Sequence, residues 1–181
     1  MSSSSAAALG SVADLLTLMR LAAAPALAAA IAAGRLGLAA ALLAAAWLTD
    51  ALDGWAARAS RRRTRLGGID LVVDTAVGAG ALVGLTLADE IPPLLTGALL
   101  VALGGGFLVL RNPALSMALQ SVGYGWLLWM LWAKGELGVW LPLATAAGLG
   151  LVFHRRLLQT LIPAFLHGVA TLSRRRERFD L

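Results

Sequence analysis

The sequence contains no cysteine and few charged residues. Charged residues make up 14% of the 181 positions, against roughly 25% in soluble globular domains. The absence of cysteine excludes disulfides and thiolate metal sites. Hydrophobic residues make up 59% of the chain, and the mean hydropathy is +0.80. This composition leaves too little polar surface to cover a water-soluble domain, so we expect the bilayer to be the solvent.

Most of the chain consists of long apolar segments separated by short polar stretches. A helix needs ~20 mostly apolar residues to cross a bilayer, and six segments meet or approach this length. They are residues 15–33, 36–57, 68–87, 94–110, 114–133 and 139–153, of which the last is short. We therefore predict an all-α integral membrane protein with six transmembrane helices. Residues 14–154 would form the membrane domain, and residues 1–13 a disordered tail.

The basic residues predict the orientation of these helices. With six spans, twelve of the 15 Lys and Arg residues fall on the side of the two termini, and only Arg35 and Lys134 fall on the other. The positive-inside rule therefore places both termini in the cytoplasm, in an inner or plasma membrane. Because apolar spans flank the arginine clusters, the predicted contacts of these clusters are with membrane lipids and not with nucleic acid.

The segment after the sixth span has a different pattern. Between residues 156 and 172, apolar residues recur at helical spacing and polar residues fill the opposite face. This pattern predicts that residues 155–181 form an amphipathic helix at the cytoplasmic interface, followed by a basic tail. An extension of the sixth helix is the alternative, and Pro163 predicts a break or kink near it.

Four of the ten acidic residues lie at the ends of two neighbouring apolar spans. Asp50 and Asp53 are three residues apart, and Asp70 and Asp74 are four apart, so each pair shares one face of a helix. A short basic loop joins the two spans, which makes them antiparallel neighbours. Four carboxylates close together would repel one another, and Mg²⁺ or Mn²⁺ would relieve that repulsion. Capping or the helix dipole explains Asp70 and at most one more of the four, but not Asp50, Asp53 and Asp74 together, so the sequence predicts a metal site.

Residues near the aspartates are suited to phosphate. Gly54 and Ala57 are small and allow close approach of a ligand, and Arg58 can bind a phosphate oxygen through two donors. Gly67 opens the third span and again leaves room. These residues extend the predicted metal site into a metal–pyrophosphate site at the cytoplasmic end of the two helices.

Read in order, the segment is Asp50-Ala-Leu-Asp53-Gly54-Trp-Ala-Ala57-Arg58, eight residues, then Gly67-Gly-Ile-Asp70-Leu-Val-Val-Asp74. It resembles the signature of the CDP-alcohol phosphotransferase (CDP-alcohol phosphatidyltransferase) family, D-x-x-D-G-x-x-A-R followed by G-x-x-x-D-x-x-x-D. The first span, around Arg20, is also similar to family members. One departure is that two residues, not three, separate Gly67 from Asp70. The aspartate pair keeps its own spacing, so we expect the metal site to be retained.

The resemblance implies a phospholipid-synthesising transferase that acts on a CDP-diacylglycerol-like lipid and releases CMP. It implies two Mg²⁺ or Mn²⁺ ions on the four aspartates, with Asp74 also the base for the acceptor hydroxyl. The CDP and phosphate contacts would come from a further set: Asp53, Gly54, Ala57, Arg58 and Gly67. It also implies a homodimer.

The sequence says less about the identity of the acceptor alcohol. Gln120 matches a glutamine often found in members that make phosphatidylglycerophosphate, although the lysines common in those members are missing. Glycerol 3-phosphate is therefore the first acceptor to consider, with Arg65 and Arg111 as candidate contacts for its phosphate. An inositol phosphate, a lipid acceptor as in a cardiolipin synthase, and a catalytically inactive relative stay open. A cation-coupled transporter is disfavoured because the fourth and sixth spans offer almost no polar residues.

Overall fold

The computed structural model describes residues 3–60 and 69–177, and the side chains of residues 3–10, 13, 55–60, 156–157 and 173–177 are not described within those ranges. These parts of the chain are helical and contain no strand. We number the main helices α1 (Ser3–Ala32), α2 (Leu36–Ser60), α3 (Asp70–Leu87), α4 (Pro93–Leu110), α5 (Pro113–Ala133), α6 (Trp140–Val152) and α7 (Ile162–Glu177).

Five of these helices are long and apolar enough to cross a membrane. The five segments are Asp14–Ala32, Leu36–Gly54, Asp70–Leu87, Pro93–Leu110 and Pro113–Ala133. They agree with the first five predicted spans to within three residues at each end. Together they indicate an integral membrane protein.

The sixth predicted span is a shorter apolar helix, Leu137–Val152. At 1.5 Å per residue it reaches about 24 Å, less than the ~30 Å hydrocarbon core of a typical bilayer. The helix ends at Val152, and a turn at Phe153 separates it from the next helical residues. It therefore gains no length from its C-terminal flank, and a sixth crossing stays a prediction.

Helix α1 begins much earlier than the sequence predicts. It extends back to Ser3, so the expectation of a disordered tail over residues 1–13 is wrong for residues 3–13. The segment Ala6–Leu9 consists of good helix formers, and alanine and leucine continue a helix at little cost once the following turns have nucleated it. Pro25 also lies inside α1.

Helices α1 and α3 approach each other at two glycines of α3. A Cβ on Gly80 would lie 2.5 Å from the Ala24 carbonyl oxygen, and one on Gly84 would lie 2.8 Å from Ala28 Cα. Gly80 and Gly84 form a small-xxx-small pair, which allows helix backbones to pack closely in a membrane. Leu27 and Ile31 of α1 are fully buried beside this contact, so the C-terminal halves of α1 and α3 are packed tightly against each other.

A second close contact joins α3 to α5. A Cβ on Gly123 would lie 2.7 Å from the Gly78 carbonyl oxygen, and one on Gly78 would lie 3.0 Å from Gln120 Cα. Nearer the start of α3, Thr75 Oγ1 and Ser116 Oγ are 2.6 Å apart, and Gln120 Nε2 donates to Ser116 Oγ over 3.0 Å. Polar groups thus link the two helices beside the aspartates.

The C-terminal segment folds back onto the start of α5. A π-helical stretch, Leu157–Leu161, immediately precedes α7, in which Pro163 is the second residue. Because proline has no N–H to donate, a change of helical hydrogen-bonding pattern is expected near it, and this is the break that Pro163 predicts. The placement of α7 at a membrane interface stays a prediction.

Candidate functional site

The four predicted aspartates meet around one arginine of α1. Arg20 Nη1 donates to Asp50 and, over 2.5 Å, to Asp74. Arg20 Nη2 donates to Asp53 and lies 3.4 Å from Asp70 Oδ1. The two aspartate pairs therefore converge in the folded chain as predicted, and the buried guanidinium of Arg20 lies between them.

Helical spacing explains how three helices build this cluster. Asp50 and Asp53 lie one turn apart on α2, and Asp70 and Asp74 occupy the first two turns of α3. Thr17 lies one turn before Arg20 on α1, and its hydroxyl donates to Asp70 Oδ1 over 3.1 Å. Asp70 is thus bonded across the helix interface, which a capping role alone would not require.

One part of the aspartate cluster is buried, and the other part is exposed to solvent. The side chains of Arg20 and Asp53 are 1% and 6% exposed, whereas those of Asp50 and Asp70 are 52% and 40% exposed. Arg20 Nε is buried and has no hydrogen-bond partner within the described part of the chain. The guanidinium is therefore incompletely satisfied even though four carboxylates face it.

The charges in the cluster do not balance. One guanidinium faces four carboxylates, and uncompensated charge is costly away from bulk water. Hard divalent cations prefer carboxylate oxygen, so the donor set fits Mg²⁺ or Mn²⁺. In the present arrangement, however, no group of three or more His, Cys, Asp or Glu side chains among the described residues is set to hold a metal ion. The carboxylates are instead directed at Arg20.

A cavity of ≈ 690 Å³ opens beside the aspartates. The four carboxylates and Gly54 line one part of it, and Gln120, Ser121 and Tyr124 of α5 line another. Leu161, Ile162 and Phe165, from the C-terminal segment, complete an apolar wall. The same cavity is therefore lined by a negatively charged cluster and by apolar side chains.

Two aromatic residues support the wall between α2 and α5. The rings of Trp47 and Tyr124 pack edge to face, with centroids 5.7 Å apart. The Tyr124 hydroxyl lies 3.5 Å from the Asp74 backbone carbonyl oxygen. These contacts place the turn of α5 that carries Gln120 and Ser121 beside α2 and the start of α3.

The structure describes only some of the other predicted site residues. Ala57 and Arg58 lie on α2, but their side chains are outside the described residues, as are Arg65 and Gly67 altogether. Arg111 is exposed at the C-terminal end of α4, in the left-handed backbone region at φ 52°. It is not among the described residues that line the cavity.

Sequence reasoning missed the role of Arg20. It treated this residue as a part of the first span, although an ionisable side chain inside an apolar helix is expected to have a charged partner. That expectation, combined with four aspartates on the next two helices, was the available signal. Thr17 lies one turn away on the same face of α1, so it could have been identified once Arg20 was assigned to the site. For Tyr124 the sequence carried no comparable signal, because its place depends on the packing of α5.

The sequence was compared with known proteins and families. The sequence model of the CDP-alcohol phosphatidyltransferase family matches residues 10–154. No curated protein matches the chain, and no solved structure matches it. The matched region runs from residue 10, inside α1, through α6, and it therefore includes Arg20 and all four aspartates and ends before α7. This chain belongs to the CDP-alcohol phosphatidyltransferase family.

Proposed function

We propose that this protein transfers a phosphatidyl group from a CDP-linked lipid to an alcohol acceptor and releases CMP. The observation that carries the proposal is that four carboxylates and an apolar wall line the same cavity. Such a cavity suits an amphiphilic donor, with its pyrophosphate near the carboxylates and its glycerol and acyl chains against the apolar wall. Membership of a transferase family supports the same reaction class.

We propose that Asp50, Asp53, Asp70 and Asp74 hold two Mg²⁺ or Mn²⁺ ions when the donor binds. The fit rests on the hard oxygen donors and on the excess of negative charge around Arg20. Bound divalent cations would neutralise the charge of the donor pyrophosphate. Since Mg²⁺ usually shares its ligand shell with water and phosphate, only part of the hydrogen bonding to Arg20 has to be given up.

The residues of the chain would then have separate roles. Asp53, Gly54, Ala57, Arg58 and Gly67 are proposed to bind the CDP and phosphate groups. Asp74 is proposed to take the proton from the acceptor hydroxyl.

The chemical step that follows is a direct displacement. The acceptor oxygen forms a bond to the phosphorus nearer the lipid. The bond between that phosphorus and the bridging oxygen breaks, and the bridging oxygen leaves with CMP. No covalent bond to the enzyme is required.

We propose glycerol 3-phosphate as the first acceptor to test. Gln120 and Ser121 line the cavity with an amide and a hydroxyl group that can bind acceptor hydroxyls. Arg65 and Arg111 are retained as candidate phosphate contacts, although Arg111 would have to reach the site from outside the described cavity lining. An inositol phosphate and a lipid acceptor are the alternatives.

We also propose that both termini and the active site face the cytoplasm and that the protein forms a homodimer in the membrane. The orientation rests on the twelve Lys and Arg residues that six spans would place on one side. Because the chain has no cysteine, single cysteines near each terminus can be tested with a membrane-impermeant maleimide in intact cells. Labelling of either terminus from outside would contradict the orientation.

The reaction is tested by CMP release from CDP-diacylglycerol with a panel of acceptors and Mg²⁺ or Mn²⁺. Asp74→Asn should lower the rate by about 10²–10⁴-fold, the contribution usual for a general base. Asp89→Asn is the matched control, because Asp89 lies in the left-handed region at φ 58°, which asparagine adopts readily. Asp89 is also outside the cavity lining.

Two results would contradict parts of the proposal. Equal rates for Asp74→Asn and the wild type would exclude Asp74 as the base. Divalent metal binding without CMP release for every acceptor would instead indicate an inactive relative. The acceptor that gives the highest kcat/KM identifies the physiological class.

A further inference from the structure

We propose that the C-terminal segment, residues 161–171, is the part of this protein that recognises the apolar portion of the lipid donor. This segment lies outside the region that matches the family, which ends at residue 154. The inference rests on the proposed function for the identity of the ligand, but the position of the segment does not depend on it. It assigns a substrate-contacting role to residues to which the family match assigns none.

The segment directs one face of its helical turns at the site. Leu161, Ile162 and Phe165 line the same cavity as the four aspartates. Residues 161 and 165 are four apart, so they share a face of the helix. Leu166, the next residue along, is 59% exposed and does not line that cavity. The face that lines the cavity therefore includes Phe165 and excludes its neighbour Leu166.

Leu161 also connects the cavity to a second one. A neighbouring cavity of ≈ 410 Å³ is lined by Ala146, Leu149, Gly150 and Phe153, and it shares Trp47, Asp50 and Leu161 with the first. Apart from Asp50, the lining of this second cavity is apolar or small. An acyl chain whose headgroup lies at the aspartates would meet apolar surface continuously past Leu161.

A buried polar contact holds α7 in this position. Asn112 is 9% exposed. Its Oδ1 accepts from the Ala114 backbone N–H over 2.9 Å, which caps α5. Its Nδ2 donates to the Gly168 carbonyl oxygen over 2.9 Å and lies 3.3 Å from Thr171 Oγ1. One side chain thus joins the start of α5 to the backbone of α7.

Gly168 makes this contact possible. A Cβ on Gly168 would lie 2.7 Å from both Ala114 Cβ and Asn112 Oδ1. Any larger residue would have to push α7 away from α5, and the cavity wall one to two turns earlier would move with it. Asn112 and Gly168 are therefore positioning residues, whereas Leu161, Ile162 and Phe165 are the contacts.

The contact is tested by cysteine labelling, since the chain has no native cysteine. Phe165→Cys and Leu166→Cys are prepared as single variants and alkylated with a maleimide, with and without dioctanoyl-CDP-glycerol. We expect the lipid nucleotide to slow labelling of the first variant by about tenfold, a change that corresponds to near-saturating occupancy, and to leave the second unchanged. CDP alone should protect neither. Equal protection of both variants, or of neither, would overturn the proposal.

This readout separates the two proposals. Protection at Phe165→Cys without CMP release would support the lipid contact and contradict the transferase activity. CMP release without protection would support the transferase activity and contradict the lipid contact.

The positioning contact is tested by Gly168→Val, with Gly148→Val as the matched control because a Cβ on Gly148 meets nothing within 4 Å. We expect Gly168→Val to raise KM for CDP-diacylglycerol by about tenfold while kcat changes little, since uniform ground-state binding is what is lost. The preference for long over short acyl chains should weaken as well. If Gly168→Val unfolds, Phe165→Ala tests the same wall without touching the contact with α5. Wild-type KM and chain-length preference in a folded Gly168→Val protein or in Phe165→Ala would overturn the proposal.

Discussion

Gly80 of α3 packs against Ala24 of α1 so closely that a Cβ would lie 2.5 Å from the Ala24 carbonyl oxygen. Ala24 is one helical turn beyond Arg20, on the same face of α1. The close approach therefore brings Arg20 within hydrogen-bonding reach of Asp70 and Asp74 on α3. A contact between two residues without polar side chains thus determines where the charged groups of the site meet.

Substitution of Gly80 should separate these helices. Gly80→Ala is expected to destabilise the protein by about 1–3 kcal/mol, because an overpacked contact forces the backbones apart. Gly97→Ala is the control, since a Cβ there meets nothing within 4 Å, and alanine should be neutral or stabilising by up to about 1 kcal/mol in a helix. Thermal unfolding in detergent measures both. Equal Tm values for Gly80→Ala and the wild type would contradict the close packing.

Removal of Arg20 should destabilise the metal-free protein. Arg20→Met leaves four carboxylates without their buried partner, and loss of one member of a buried ion pair costs about 3–5 kcal/mol. For a chain of this length the expected fall in Tm is on the order of 10 °C. Arg35→Met, at an exposed position before α2, should leave Tm nearly unchanged.

Divalent cations should offset that loss. Because Arg20 is the cation that faces these carboxylates among the described residues, Mg²⁺ should raise the Tm of Arg20→Met more than it raises the wild-type Tm. An equal effect of Mg²⁺ on both proteins would indicate that the metal binds elsewhere.

Metal binding should be measurable without any substrate. A ligand present at a hundredfold excess over its Kd stabilises the native state by about 2.7 kcal/mol, so Mn²⁺ should raise the wild-type Tm. Asp53→Asn removes a buried carboxylate of the cluster and should reduce both this shift and the Mn²⁺ affinity measured by calorimetry. Asp89→Asn should retain the wild-type values. A full Mn²⁺ response in Asp53→Asn would exclude Asp53 as a ligand.

The polar link between α3 and α5 should affect acceptor binding. Ser116→Ala removes a partner of both Thr75 and Gln120, and Gln120 lines the cavity. Thr75 keeps its bond to the Leu71 carbonyl oxygen, whereas the Gln120 amide loses the hydroxyl that orients it, so we expect KM for the acceptor to rise while KM for the CDP-lipid stays near the wild-type value. Thr145→Val is the control, because among the described residues its hydroxyl bonds within its own helix, to the Leu141 carbonyl oxygen. Unchanged acceptor KM in Ser116→Ala would show that Gln120 is not involved.

Much of the site was predictable because helical spacing is a local property. The separation of three residues between Asp50 and Asp53, and of four between Asp70 and Asp74, places each pair on one face whatever the rest of the chain does. A short connection then makes the two helices neighbours. The predicted convergence of the four aspartates therefore required only periodicity and loop length, and the first five apolar spans required only composition.

The partners of the aspartates could not be obtained in that way. Arg20 reaches them because Gly80 and Gly84 let α1 pack tightly on α3, and Phe165 reaches the same cavity because Asn112 holds Gly168 against the start of α5. The contacts of Arg20 with the aspartates and of Asn112 with Gly168 join residues 30 to 56 positions apart, and no local pattern encodes which small residues will face each other. The amino-acid sequence by itself determined the apolar helices and the carboxylate pairs, whereas interhelical packing alone decided which cation stands among the carboxylates and which segment closes the cavity.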